Sequence, residues 1–135
     1  MPRDQVEELL YGGESPRNRI AYLQYLREVQ RGKSLLQLKA VAAAITPEIR
    51  QRWSARSFTP VQTSDGRFDE IVCNISYHFH KHGQKYGTIQ KMTDEAFNYL
   101  SLHRSEAKLR TSDGLLVLPN GSLYEPGGRI VTFVG

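Results

Sequence analysis

Four side chains within eight residues are of types that handle phosphate: His78, Lys81, His82 and Lys85, in the run Tyr77-His78-Phe79-His80-Lys81-His82-Gly83-Gln84-Lys85. Histidine gives or takes a proton near neutral pH, and an ammonium holds anionic oxygens as a point charge. Two imidazoles at i and i+4 reach a common point beside one helix face. From Ile71 to Thr93 there is no Asp or Glu, so no carboxylate within that stretch neutralises the cations. An acid-free border of imidazoles and ammonium groups points to phosphate chemistry.

The element that must carry these groups is read from its apolar spacing. Phe68, Ile71, Val72, Ile75, Phe79, His82 and Tyr86 recur at steps of three and four, which predicts an amphipathic helix over 68–86 with one buried stripe. At about 100° per residue, His78, Lys81 and Lys85 fall on one flank of that stripe and His82 on its edge, while Tyr77 and His80 point elsewhere. The helix is expected to end near Gly83 or Gly87. Thr93-Asp94-Glu95 predicts the start of the next one.

After Arg104 four short strand-like runs, 107–111, 115–118, 122–125 and 129–134, are separated by Ser-Asp-Gly, Pro-Asn-Gly and Pro-Gly-Gly. These are hairpin signals, with Asn120-Gly121 suited to a type I′ turn. A meander this short needs a helix across one face, and the 68–86 helix is expected there.

Upstream, 4–11 reads as a short helix closed by Gly12-Gly13. Ser15-Pro16 starts a second through Ile20, Leu23, Leu26 and Val29, and Ser34 caps a third from Leu35 to Ile45. Thr46-Pro47-Glu48 starts a fourth that runs to Trp53,. Residues 55–66 have the composition of a hinge loop. The fold class is therefore α+β. A helical N-terminal subdomain, 1–58, precedes a core, 59–135, in which helices pack on a four-stranded antiparallel meander.

Composition sets the limits of function. Hydrophobic residues at 39% and charged residues at 24% are those of a globular domain,. No apolar run approaches the ~20 residues of a membrane helix, and no apolar segment follows Met1-Pro2-Arg3-Asp4 as a secretory signal requires. The single Cys73 excludes an internal disulfide and is read as packed,. The net charge of +4 favours an anionic partner, but it is unevenly placed,. Residues 1–58 hold ten Lys/Arg against six Asp/Glu, and 59–135 hold eight of each. Arg17, Arg19, Arg27, Arg31, Arg50, Arg52 and Arg56 are read as a solvated face, and Trp53 as a core anchor.

His78-Phe79-His80-Lys81-His82-Gly83, a Thr-capped helix and a closing Gly128-Arg129-Ile130-Val131-Thr132-Phe133 together resemble a known family. It is the metal-independent ribonuclease superfamily of barnase, EndoU, colicin D and RelE-type toxins. The nearest members carry His-Phe-x-Lys-His-Gly domains at the C-termini of bacterial contact-dependent toxins and phage head-associated proteins. The resemblance covers 68–135.

It implies an endoribonuclease that cuts tRNA or rRNA without a cofactor and leaves a 2′,3′-cyclic phosphate. It further implies RNA as partner, an acidic immunity protein or antitoxin, and action in the cytoplasm, with delivery as part of a larger protein. On this reading His78 and His82 are the acid/base pair, in an order left open, and Thr132 is a third catalytic group. Lys81, Lys85 and Arg129 bind the substrate phosphate, Arg129 in a bidentate clamp.

Plainer readings stand beside it. His82 could be a packed core histidine, the Lys/His flank a wetted surface, and Thr132 a structural strand residue. The i, i+4 histidines also have the spacing of a zinc helix, without its adjacent Glu. The alternative at the level of function is a non-catalytic RNA- or protein-binding module.

Overall fold

The computed structural model describes residues 24, 27, 35–56, 58–64 and 66–135. The expected helices over 4–11 and 15–32, and the Ser34 cap, lie outside the described residues apart from Gln24 and Arg27. The first described helix, α1 (Leu35–Ala44), buries Leu38 and Val41. Thr46 caps α2 (Pro47–Arg52), its hydroxyl accepting from the Ile49 N–H at 3.1 Å, and Pro47 occupies the first turn, where a missing N–H costs nothing,.

Residues 55–66 are not all loop. β1 (Val61–Thr63) and β2 (Gly66–Phe68) pair as a small antiparallel hairpin, with Val61 opposite Phe68. Asp69 then caps α3 (Glu70–His78) by accepting the Val72 N–H. The single amphipathic helix expected over 68–86 is corrected in two ways: α3 is buried on every face from Ile71 to His78, not along one stripe, and it does not run through to residue 86. A π-helical turn, Phe79–Gly83, and a 3₁₀ turn, Gln84–Tyr86, follow α3. The next helix, α4 (Ile89–His103), starts at a Thr88 cap, earlier than the Thr93 expected. Thr93 is instead fully buried one turn inside α4. Its hydroxyl donates to Ile89 O and accepts the Trp53 indole N–H at 3.0 Å.

The fold is α+β. β3 (Lys108–Arg110), β4 (Leu115–Val117), β5 (Leu123–Tyr124) and β6 (Ile130–Thr132) form an antiparallel sheet in the order β3-β4-β5-β6, as the turn spacing predicts. The β4–β5 connection is a three-residue loop, not a two-residue type I′ turn. Leu118 N–H reaches Ser122 O, Gly121 N–H reaches Leu118 O, and Gly121 takes the left-handed φ of 89°. The turn that forms spans Leu118–Gly121, so Pro119 and not Asn120 is its first central residue, and Pro119 cannot supply the positive φ that type I′ asks there,.

The helix lying across the sheet is α4. Tyr124 Oη donates to Ala96 O at 2.7 Å, and Tyr99 Oη accepts the Asn120 N–H. The α3 helix meets the sheet through an intermediary. Trp53 bridges Ile130 in parallel, and Ser54 N–H donates to Ile130 O, so the chain after α2 runs along the free edge of β6. Leu38, Val41, Ile49 and Trp53, from the stretch assigned to the helical layer, enter the same buried cluster as Ile75, Met92 and Ile130.

Gly83 is where the π turn packs on α4. A methyl there would collide with Met92 Sδ and lie 3.1 Å from Phe79 Cδ1, and Met92 is fully buried. Helix propensity favours Ala by about 1 kcal/mol, whereas overpacking a filled core costs about 1–3 kcal/mol. The Gly83→Ala variant is therefore expected to lose stability. A lower urea midpoint at unchanged slope is the readout, and a raised midpoint would show that the Met92 contact is not a constraint.

Candidate active site

The His78 and His82 rings lie 6.4 Å apart between centroids, at an interplanar angle of 21°. The helix therefore brings the two imidazoles together, but into unlike surroundings. His78 is only 1% exposed. The Trp53 ring stacks on it at 6.1 Å, and the rings of Phe58 and Tyr77 meet it edgewise at 5.8 and 5.0 Å. Asn74, one turn back, lies at its Nδ1: Oδ1 is 2.7 Å away and the backbone carbonyl 3.1 Å.

Asn74 Nδ2 donates to Ser54 O at 3.0 Å, which fixes the amide so that its oxygen faces the ring. Nδ1 of His78 must then carry the hydrogen. Ser54 Oγ in turn donates to Glu125 Oε2 at 2.5 Å. Burial pushes the His78 pKa down to about 3, aided by His82 and Lys81 and opposed by the Asn74 carbonyl.

This corrects the expectation for His78. Its flank is not a solvent border shared with Lys81 and Lys85, because Trp53 and Phe58 cover it. An imidazole sealed from solvent and neutral down to about pH 3 is not half of an acid/base pair working near pH 7,. His78 serves instead as a core polar group, held by Asn74.

His82 is half-buried on the π turn. Its pKa is lowered from the ordinary histidine value by partial burial, and by the neighbouring Lys81 and Lys85. It is thus a neutral imidazole at pH 7 between two cations. Lys81 Nζ donates to Tyr77 Oη at 3.0 Å, and Lys85 Nζ donates to the Gly135 carbonyl at 3.0 Å. The Lys85 contact and the stacking of Tyr86 on Phe133 (6.1 Å, 28°) bring the exit of β6 beside the 3₁₀ turn. Thr132, directly before Phe133, is 8% exposed. By strand alternation it shares the face of Ile130, which packs on the helical layer,. Among the described residues its hydroxyl has no hydrogen-bonding partner.

Arg129 does not join this group. Its Nε donates to Gln51 O at 3.1 Å, and it lines a separate cavity with Arg52, Phe97 and Arg104. Strand geometry explains why. Residues 129 and 132 are about 10 Å apart along an extended chain at about 3.3 Å per residue. The third imidazole, His80, does not join the group either: it meets the Phe79 ring edgewise at 5.5 Å and lines a different cavity with Leu36 and Val41. Burial lowers its pKa as well. Cys73 is fully buried with its pKa pushed up to about 12 by that burial, a protonated and packed thiol.

For the zinc spacing, the ring nitrogen of His78 that faces Asn74 is occupied by its hydrogen. No three His, Cys, Asp or Glu side chains converge among the described residues. Asn74 is not singled out by the sequence, and Tyr77, expected to point away from the lysine flank, is buried with its hydroxyl accepting from Lys81. Their signal was the i, i+4 relation to His78 and Lys81, legible only once the faces were known.

The buried neutral His78 predicts acid sensitivity. Unfolded, its pKa returns to about 6.5, so between about pH 3 and 6.5 the unfolded chain binds the extra proton,. The stability it confers is complete above pH 6.5 and is lost as pH falls towards 3. Urea midpoints from pH 7 to pH 4 should fall, and His78→Gln should flatten that fall. An equally steep decline in the variant would assign the effect to other groups.

No protein-family model, no curated protein and no solved structure matches the chain. No helix among the described residues is long and apolar enough to cross a membrane.

Proposed function

We propose that the chain is a metal-independent endoribonuclease, a bacterial toxin domain cutting tRNA or rRNA through a single imidazole. The observation that carries this reading is the half-buried His82, its pKa lowered, between Lys81 and Lys85 beside the exit of β6. Neutral His82 takes the proton of a ribose 2′-hydroxyl. The 2′-oxygen then bonds to the adjacent phosphorus while the bond from phosphorus to the 5′-oxygen breaks. The leaving oxygen takes a proton from the Lys81 or Lys85 ammonium, and the products are a 2′,3′-cyclic phosphate and a 5′-hydroxyl. Proton exchange with water then restores both groups. The lysine charges and the Thr132 hydroxyl hold the non-bridging oxygens as charge builds on them.

The roles are divided between unlike groups: an imidazole made less basic takes a proton, and an ammonium group gives one,. Such a domain acts in the cytoplasm of the cell it attacks. An acidic immunity protein or antitoxin masking the Lys81–Lys85 end is its natural partner.

A second reading, a non-catalytic RNA- or protein-binding module, is favoured by the burial of His78, which removes one of the two imidazoles the family resemblance called for. Purified protein incubated with total RNA in EDTA separates them. The ribonuclease reading expects fragments ending in 2′,3′-cyclic phosphate. It expects a loss of about 100-fold or more in His82→Ala, with His78→Gln far less affected. The rate should rise with pH through a pKa below 6.5 and then level, as a base needing its neutral form requires. Intact RNA, together with normal growth of cells expressing the chain, would leave the binding module.

A further inference from the structure

The arginine that left the histidine group leads to a second site. Between α2, α4 and the turn entering β6 lies a cavity of about 480 Å³, within the range of about 300–1,000 Å³ that small ligands occupy,. Arg52, Arg104 and Arg129 line it, against one carboxylate, Glu48. Among the described residues none of the three guanidinium groups has a carboxylate partner. Arg104 Nη2 is steadied by Pro126 O at 2.8 Å and Arg129 Nε by Gln51 O at 3.1 Å, which leaves each fork with further N–H groups to donate,.

Arg52 differs from the other two. Its Nη1 is buried with no acceptor, and its guanidinium lies 4.0 Å over the Phe97 ring. Phe97 itself is 44% exposed. A cationic plane stacked on a half-open aromatic ring, with spare donors around it, combines the two features that hold a single strand: charge for phosphates and a flat π surface for a base.

We infer that this cavity binds single-stranded RNA, with guanidinium donors on backbone phosphates and an unpaired base against the Arg52–Phe97 stack. The choice of RNA rests on the ribonuclease reading, but the site itself stands on its own residues. It takes up Arg129, to which the family resemblance gives the scissile phosphate, and Arg52, whose sequence context suggests only a solvated face. Because the cavity sits at the entrance of β6 and His82 lies near its exit, the strand grips the substrate at a distance from the cut. The grip selects unpaired segments, since a base locked in a duplex presents no face to the ring. An acidic peptide would use the arginines without the ring, and that difference is testable.

The experiment uses the full chain carrying His82→Ala, so that turnover does not obscure binding. Fluorescence anisotropy follows a fluorescein-labelled oligouridine at several KCl concentrations. Arg52→Gln should weaken binding about tenfold and lower the slope of log affinity against log salt by about 0.7, the share of one phosphate contact on a single strand. Phe97→Ala should weaken binding about as much with the slope unchanged, because stacking releases no counterions. Arg104→Gln should repeat the Arg52 result, and Lys91→Gln, on the exposed side of α4, should change nothing.

Absence of RNA binding by the parent, or variants in the cavity that bind like the parent, would overturn the site. So would Phe97→Ala having no effect while polyglutamate displaces the RNA. RNA bound through these residues but never cut by the unmutated chain would remove the ribonuclease reading and leave this site standing. RNA cut normally by cavity variants with unchanged affinity would do the reverse.

Discussion

Trp53 and Ser54 hold the helical layer to the sheet. The indole is fully buried, donates to Thr93 in α4 and stacks on His78 of α3, while the backbone bridges Ile130 at the free edge of β6. Ser54 adds a carbonyl that accepts from Asn74 and a hydroxyl that reaches Glu125. Two adjacent residues therefore tie two helices and the last strand together, and the Trp53–Thr93 and Asn74–Ser54 contacts lie out of water. A hydrogen bond in such a place contributes only about 1 kcal/mol net, but leaving its partner unsatisfied costs about 1–3 kcal/mol. The network consequently constrains geometry more strongly than it adds stability.

That junction explains why the two stacked imidazoles behave differently. The ring next to Trp53 is enclosed and its charged form excluded, whereas the ring one turn later reaches the surface on the π turn. The extra width of a π turn carries His82 and the two lysines past the covered region, and Gly83 lets that wider turn close on Met92,. The polar chain from Glu125 through Ser54 and Asn74 to His78 ends inside the protein. It supports the helix that presents His82 and moves no charge to the surface.

Two groups of cations lie at the two ends of β6. Ammonium groups lie at its exit, tied to the terminal carbonyl and a phenol, and guanidinium groups lie at its entrance, tied to backbone carbonyls. A planar guanidinium with several fixed donors suits holding and stacking, while a compact ammonium suits a centre where charge develops or a proton moves. The division of residue types follows the division of tasks proposed for the two ends.

Much of this architecture is local chemistry, and the sequence by itself determined it. The four strands and their order follow from Gly-containing turns at short spacing. The Thr46-Pro47 start of α2 follows from capping, and the existence of α3, though not its burial on every face from Ile71 to His78, from the 3.6-residue period of its apolar residues,. The α+β class was legible for the same reason, since hydrogen-bond ladders and caps form between near neighbours.

Which helix crosses the sheet, the burial of His78 and the company of Arg129 were decided only by tertiary structure. A wheel at 100° per residue does not carry through a π turn, and it is blind to Trp53 and Phe58 arriving from elsewhere in the chain. Nor does any local signal gather Arg52, Arg104 and Arg129. They meet because α2 and α4 pack beside the turn into β6, and packing depends on surfaces far apart in sequence.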